Sequence, residues 1–457
     1  MHRFHLAFLW AALVAGAQAG ESVARVTDIS PGPGGSYPSY LTVFRGQLYF
    51  RASPGGGATE LWRFDGTNAV RAVTLAANAS PSTLVELNGS LYFDAAVAGG
   101  AIKMHRFDGT NVSVPNVNPP GAFWSSGAAR PVVWNGRLWW RSLHFSALGI
   151  AQFDGTTISV LNSPPWANSE PVLWNGALYY GAQDSTYGVE LWRYTGSTQQ
   201  RLSDMNPGAN DGSPEVLFVH GNAVYFRARD GTTGNELWRY NGSSVQRVAD
   251  INPNGDSNPS GLATFRGNLY FAADDGIHGT ELMRYNGSVV SLAVDVNPNP
   301  VYEQGGDRLS DANPSGLTVF NDALYFIAWD GTNTGVRRFD GTNAPVLGGG
   351  MLNAATELIV FQGGLYFDAD DGRWGRELWR VQTNARPRLG ITRSGMTVEV
   401  NLNEAETGRF VIEGSSDLQA WAQLATNRPI DGRIILNDPL ATGTTRRMYR
   451  AVRAAAP

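Results

Sequence analysis

Three segments of this 457-residue chain set acid beside glycine in a spacing that could do chemistry. They are RARDGTTGNELWR (Arg227 to Arg239), AADDGIHGTELMR (Ala272 to Arg284) and DADDGRWGRELWR (Asp368 to Arg380). Gathered carboxylates suit a hard cation, and calcium takes about six to eight oxygens. Asp230, Asp274 and Asp370 are the candidate calcium positions, although the loops lack the D-x-[DN]-x-[DN]-G spacing of a one-loop site. Direct ligand contact is a second reading, through Asp274, Asp275, Asp370, Asp371 and Trp374. A third is a structural turn, because Asp bonds its own following backbone and Gly takes positive φ. All three stay open.

Signatures of catalysis are sparse. Beyond the first twenty residues there are four histidines, His105, His144, His220 and His278, and no pair has the i, i+4 metal spacing. The chain has 0 Cys, so there is no thiol nucleophile and no disulfide. No G-x-S-x-G elbow, P-loop or dinucleotide fingerprint occurs. A carboxylate pair brought together by the fold is the one catalytic arrangement left, and a retaining glycosidase needs two acids only about 5 Å apart.

The elements that must position these residues repeat. Leu-Tyr-Phe stands at Leu48, Leu91, Leu269, Leu324 and Leu365, with variants at Leu138, Leu178 and Val224, at intervals of 40 to 55 residues. Around each copy lies a short apolar strand, an Asn-Gly or Arg-Gly turn, the aromatic strand, the acidic loop, an ELWRY-like strand, a DGT or NGS turn and a fourth strand. Four strands at this period make a β-propeller blade. The expected fold is all-β, an eight-bladed propeller over 22–382. Seven blades is the alternative, should the irregular SLHFSALGIAQFDGT unit or the insertion at Val301 to Leu309 mislead the count. VARVTDI (Val23 to Ile29) has no ELW before it, and the last unit lacks a fourth strand, so the chain start should close the ring. In that ring the acidic loops and the DI, DMNP, DINP and DVNP segments fall at one end.

Trp62, Trp192, Trp238 and Trp379 recur at one blade position and are expected to pack between blades. Glu60, Glu190, Glu236, Glu281 and Glu377, two residues earlier, should accept backbone N–H bonds from a neighbouring strand, as buried carboxylates must. Trp124, Trp139, Trp140, Trp166 and Trp374 break the repeat. They either stack on sugar rings or fill gaps.

ELWRFDGT (Glu60 to Thr67) matches in full the ELW-x-x-DGT repeats of secreted bacterial proteins, which this chain resembles over about 22–382. The resemblance implies a propeller-like domain and an extracellular place, and it supplies no catalytic residues. After a linker at 383–388, residues 389–457 alternate as a small antiparallel β-sandwich. The run Phe410 to Trp421 resembles a C-terminal module of secreted proteins from environmental bacteria.

The start reads as a signal peptide, 1–19, with an apolar run from Leu6 to Ala15 before Ala17-Gln18-Ala19. Formal charge is −5. With no basic cluster, nucleic acid is excluded as a partner. After signal cleavage no membrane insertion is expected. The expected protein is secreted or displayed on the cell surface, monomeric, without an obligate cofactor, and binds polysaccharide or an extracellular protein. A polysaccharide lyase or hydrolase is the alternative.

Overall fold

The computed structural model describes residues 22–55, 57–116, 131–142, 149–161, 166–298, 301–303, 306–308, 311–350, 357–382, 389–394, 397–402, 410–416, 421–427, 433–438 and 448–453. The expected signal peptide and linker, and Trp124 and His144, lie outside them. Two compact units result, Val23–Val381 and a second holding Gln382–Pro457.

The first unit is an eight-bladed β-propeller. Seven blades follow one another at 39–71, 82–113, 132–160, 166–201, 215–247, 260–294 and 315–339. The eighth takes its first three strands from Leu358–Phe361, Gly364–Asp370 and Arg376–Gln382, and its fourth from Ser22–Arg25. The chain start therefore closes the ring. The irregular third unit is a true blade, and the insertion after blade 6 forms its own hairpin, Val301–Glu303 with Gly306–Arg308. Neither disturbs the count of eight. Blade 7 has three strands, with Val346 bridged to Arg337 in place of a fourth.

The aromatic strand zips neighbouring blades together. Alternation sends Leu48, Phe50 and Ala52 towards blade 8, where they meet Phe361, Tyr366 and Leu378. It sends Tyr49 the other way, towards Phe107 of blade 2 at 5.8 Å between ring centres. Tyr366 meets Phe64 at the same 5.8 Å, so blade 8 packs on blade 1 as any blade packs on the next. Each buried ring contributes roughly 1.5–3 kcal/mol.

In seven blades type I′ turns join first and second strands, with positive φ at both central residues, as at Asn175 (45°) and Gly176 (73°); in blade 5 only Gly221 of the pair has positive φ. Side chains at the first turn position link the ring. Arg45 Nη2 donates to Gly89 O (2.8 Å), Arg266 Nη2 to Asp322 O (3.0 Å), and Gln362 Nε2 to Gly46 O (3.0 Å), the last across the closure. First strands of adjacent blades lie side by side and form the inner wall. One wall position, opposite the Leu of each aromatic strand, holds Val43, Glu86, Val133, Leu173, Val219, Thr264, Val319 and Val360. That level of the axis carries a single carboxylate.

In the second unit, Leu389–Ser394, Thr397–Leu402 and Arg433–Asn437 form one antiparallel sheet. Ala422–Asn427, Phe410–Ser415 and Met448–Arg453 form another. Ile412 and Ile434 are buried, and Tyr449 Oη donates to the buried Asp438 at 3.0 Å.

Candidate functional site

The acidic loops close on themselves. Asp184, Asp230, Asp275, Asp330 and Asp371 hold equivalent positions, and Oδ1 of each accepts the backbone N–H groups two and three residues on, at 2.8–3.0 Å. The DGT turns at the other end repeat the device at Asp65, Asp108, Asp154 and Asp340. Burial pushes the Asp230 carboxyl up, but four hydrogen bonds from Thr232 and Thr233 outweigh it and hold the value at about 2. Asp274 and Asp370 each accept one N–H, from Gly276 (2.7 Å) and Gly372 (2.8 Å). Among the described residues no group of three or more His, Asp or Glu is placed to hold a metal ion.

Trp374 also belongs to the repeat. Its ring lies under the Arg25 guanidinium at 4.7 Å and that of Arg373 at 5.0 Å. Tyr187 takes the same place in blade 4 under Arg201, at 3.5 Å. Asp368 is 1 % exposed and pairs with Arg376 at 2.8 Å. Of the residues singled out in the sequence, Asp371 and Trp374 meet in one turn and Asp275 meets His278 (2.8 Å), while the blade 6 and blade 8 loops stay separate turns.

The ELW glutamates anchor the segments that lead from one blade to the next. Glu190, Glu236, Glu281 and Glu377 have no exposure. Glu377 accepts Thr27 Oγ1 (2.8 Å), Ser36 Oγ (2.7 Å) and the N–H groups of Ile29 and Ser30. Glu236 accepts Ile251 N and Ser257 Oγ, Glu190 accepts Met205 N, and Glu281 accepts Val296 N and Asn297 N. The expected backbone donors are there, but they come from the connecting segment rather than a neighbouring strand. Burial pushes Glu281 up to about 7 and raises Glu190 and Glu236 too.

Blade 3 abandons this device. In register, Gly149 stands opposite Ser142 where five blades place the glutamate opposite an alanine; blades 2 and 7 lack it too, with Lys103 opposite Ala95 and Gly335 opposite Ala328. The segment that follows is also different. Elsewhere the connecting segment sets a small buried residue beside the end of the second strand: Ser36, Ala79, Gly212, Ser257 or Ala312. In blade 4 that place is Trp166, opposite Gln183 and 55 % exposed. Gly212 shows why the usual residue is small, since a Cβ there would lie 2.7 Å from Glu190 Oε1. Blade 3 has no glutamate for the next segment to cover, and that segment turns Ala167 towards blade 3 and leaves the Trp166 ring exposed.

Hydrogen bonds tie the strand that carries this ring to charged groups of both neighbouring blades. Asn168 continues the strand, its N–H donating to Gly181 O at 2.7 Å. Residues two apart share a strand face, so Trp166 and Asn168 project together. Arg141 Nη1 donates to Asn168 O, and Arg141 N to Glu170 Oε2 (2.9 Å). Asn168 Nδ2 donates to Glu215 Oε1 of blade 5 (3.0 Å), and Glu215 pairs with Arg227 at 2.5 Å. Burial raises the Glu170 carboxyl, with the Arg141 N–H and guanidinium pulling the other way. Trp139 and Trp140 do not join this cluster. They are buried, at the Tyr and Phe places of the aromatic strand.

No family model matches the chain, and no curated protein matches it. Solved propellers resemble it in fold. The β-propeller domain of the Trilobed protease from Pyrococcus furiosus is 9% identical, with a TM-score of 0.41, covering 68% of this chain and 97% of that one. YCF48 bound to D1 peptide is 9% identical, with a TM-score of 0.38, covering 82% and 99%. A prolyl endopeptidase is 13% identical, with a TM-score of 0.39, covering 83% of this chain and 55% of its own.

Proposed function

We propose that this chain is an extracellular binding and scaffold protein that takes its ligand, a polysaccharide or another extracellular protein, at the loop end of the propeller beside blades 4 and 5. One observation supports this above the others. The repeat uses its acids to build turns, and Trp166 is where a small buried residue of the repeat becomes an exposed ring, on a strand that Asn168 ties to Arg141 and to the Glu215–Arg227 pair. The start of the chain and the ELWRFDGT likeness support an extracellular place. Exported protein should begin at Gly20 on N-terminal sequencing. It should adsorb to extracellular matrix material, and less so when Trp166 becomes Ala. An intact Met1 on the exported protein, or no adsorption, would count against this reading.

Glu170 favours a second reading, a polysaccharide-cleaving enzyme. Burial raises its carboxyl, which accepts the Arg141 N–H, and the Arg141 guanidinium in turn bonds Asn168 O, so this acid belongs to the same hydrogen-bonded chain as the ion-paired Glu215. Turnover of a polysaccharide, lost in Glu170→Gln, would establish it.

A further inference from the structure

We infer that the Trp166 site binds an uncharged carbohydrate, one pyranose ring lying on the indole and its hydroxyls meeting Asn168, Glu215 and Arg227. This rests on the loop-end binding reading above and narrows its ligand. Three features carry it. First, the indole is an apolar plane left 55 % in solvent at a place where the fold elsewhere buries a small residue. An aromatic face with polar neighbours suits a surface that is apolar on its faces and polar at its edge. Second, the polar groups beside it are planar and only partly used. Asn168 Nδ2 is committed to Glu215, yet no bond is made to its Oδ1 among the described residues. Glu215 and Arg227 keep 36% and 26% of their side chains exposed. A hydroxyl both donates and accepts, so it can bridge a carboxylate and a guanidinium already bonded to each other.

Third, the local charge is balanced. Arg227 pairs with Glu215, and the Arg141 guanidinium is bonded to Asn168 O and acts electrostatically on Glu170, so neither cation waits for a uronate or phosphate. A protein partner fits less well. A stable protein interface covers about 800 Å² on each side around an apolar centre. Here one ring is exposed, and the flanking side chains are charged or amide.

The test uses the full chain. Neutral hexasaccharides of the cello, xylo, manno and malto series, with hexagalacturonate as the acidic counterpart, are titrated by calorimetry. At least one neutral series should bind. Trp166→Ala should weaken that binding about tenfold, Trp166→Phe much less, and neither should move the melting midpoint. Preference for hexagalacturonate, no neutral binding, or indifference to Trp166→Ala overturns the inference. A parallel arm separates its failure from that of the broader reading. Matrix material is oxidised with periodate or digested with protease before adsorption. Adsorption that survives periodate, falls with protease and still needs Trp166 refutes the carbohydrate and leaves loop-end binding standing. Adsorption that ignores Trp166 refutes both.

Discussion

Glu281 has no exposure to water, and burial holds its carboxyl up to about 7 against an ordinary 4.5. A carboxyl raised on folding stabilises the fold below its unfolded value, and that contribution fades as pH climbs through the folded one. Glu190 and Glu236 are raised in the same direction. The turn aspartates act oppositely. Asp230, held at about 2, and Asp65, Asp108, Asp154 and Asp371, all lowered, stabilise above 3.8 and stop doing so as pH falls. The melting midpoint should therefore rise as pH drops from about 8 to about 5, and fall again below about 4. Glu281→Gln should flatten the upper limb, which for this residue amounts to at most about 3 kcal/mol. A midpoint that climbs steadily from acid to alkali would contradict these assignments.

Among the elements, the closing strand Ser22–Arg25 and the segment behind it depend on Glu377, which gathers two hydroxyls and two N–H groups across the closure. Glu60 holds the same repeat position but reaches outward to Arg71 at 2.8 Å, with both side chains partly exposed. Glu377→Ala should cost roughly 2–4 kcal/mol in urea unfolding, because buried donors lose their acceptor. Glu60→Ala should cost less than about 1 kcal/mol. Equal losses would mean that the closure is not held this way. The repeated parts of this architecture were legible in the sequence because a period exposes them. The aromatic strands, the Asp-Gly turns and the missing fourth strand recur or fail to recur at fixed places. What a period hides is the single departure. Trp166 is legible only as one of five aromatics that break the repeat, in an irregular NSPPWAN stretch with no partner to align it to, and another of the five, Trp374, is the counterpart of Tyr187. A usable signal did exist seventeen residues upstream, at Gly149. Blade 3 reads Gly149-Ile150-Ala151-Gln152-Phe153 where the repeat reads Glu-Leu-Trp-Arg-Tyr, so the connecting segment after it has no glutamate to cover.

In the whole molecule, the ring divides its labour. Both ends are built of aspartate and asparagine turns that recur around the ring, and the wall position one step from the turn between first and second strands holds uncharged side chains apart from Glu86. The departure that carries the exposed ring lies at the loop end, between blades 3 and 5. The account therefore separates stability from binding by position. The direct measurement compares Asp371→Ala with Trp166→Ala in the full chain, following the melting midpoint and the adsorption to matrix material together. Asp371→Ala should lower stability by about 1 kcal/mol and leave adsorption unchanged. Trp166→Ala should leave stability unchanged and weaken adsorption about tenfold. The opposite pairing, adsorption lost with Asp371 and kept without Trp166, would return the acidic loops to the role of ligand site and contradict the account.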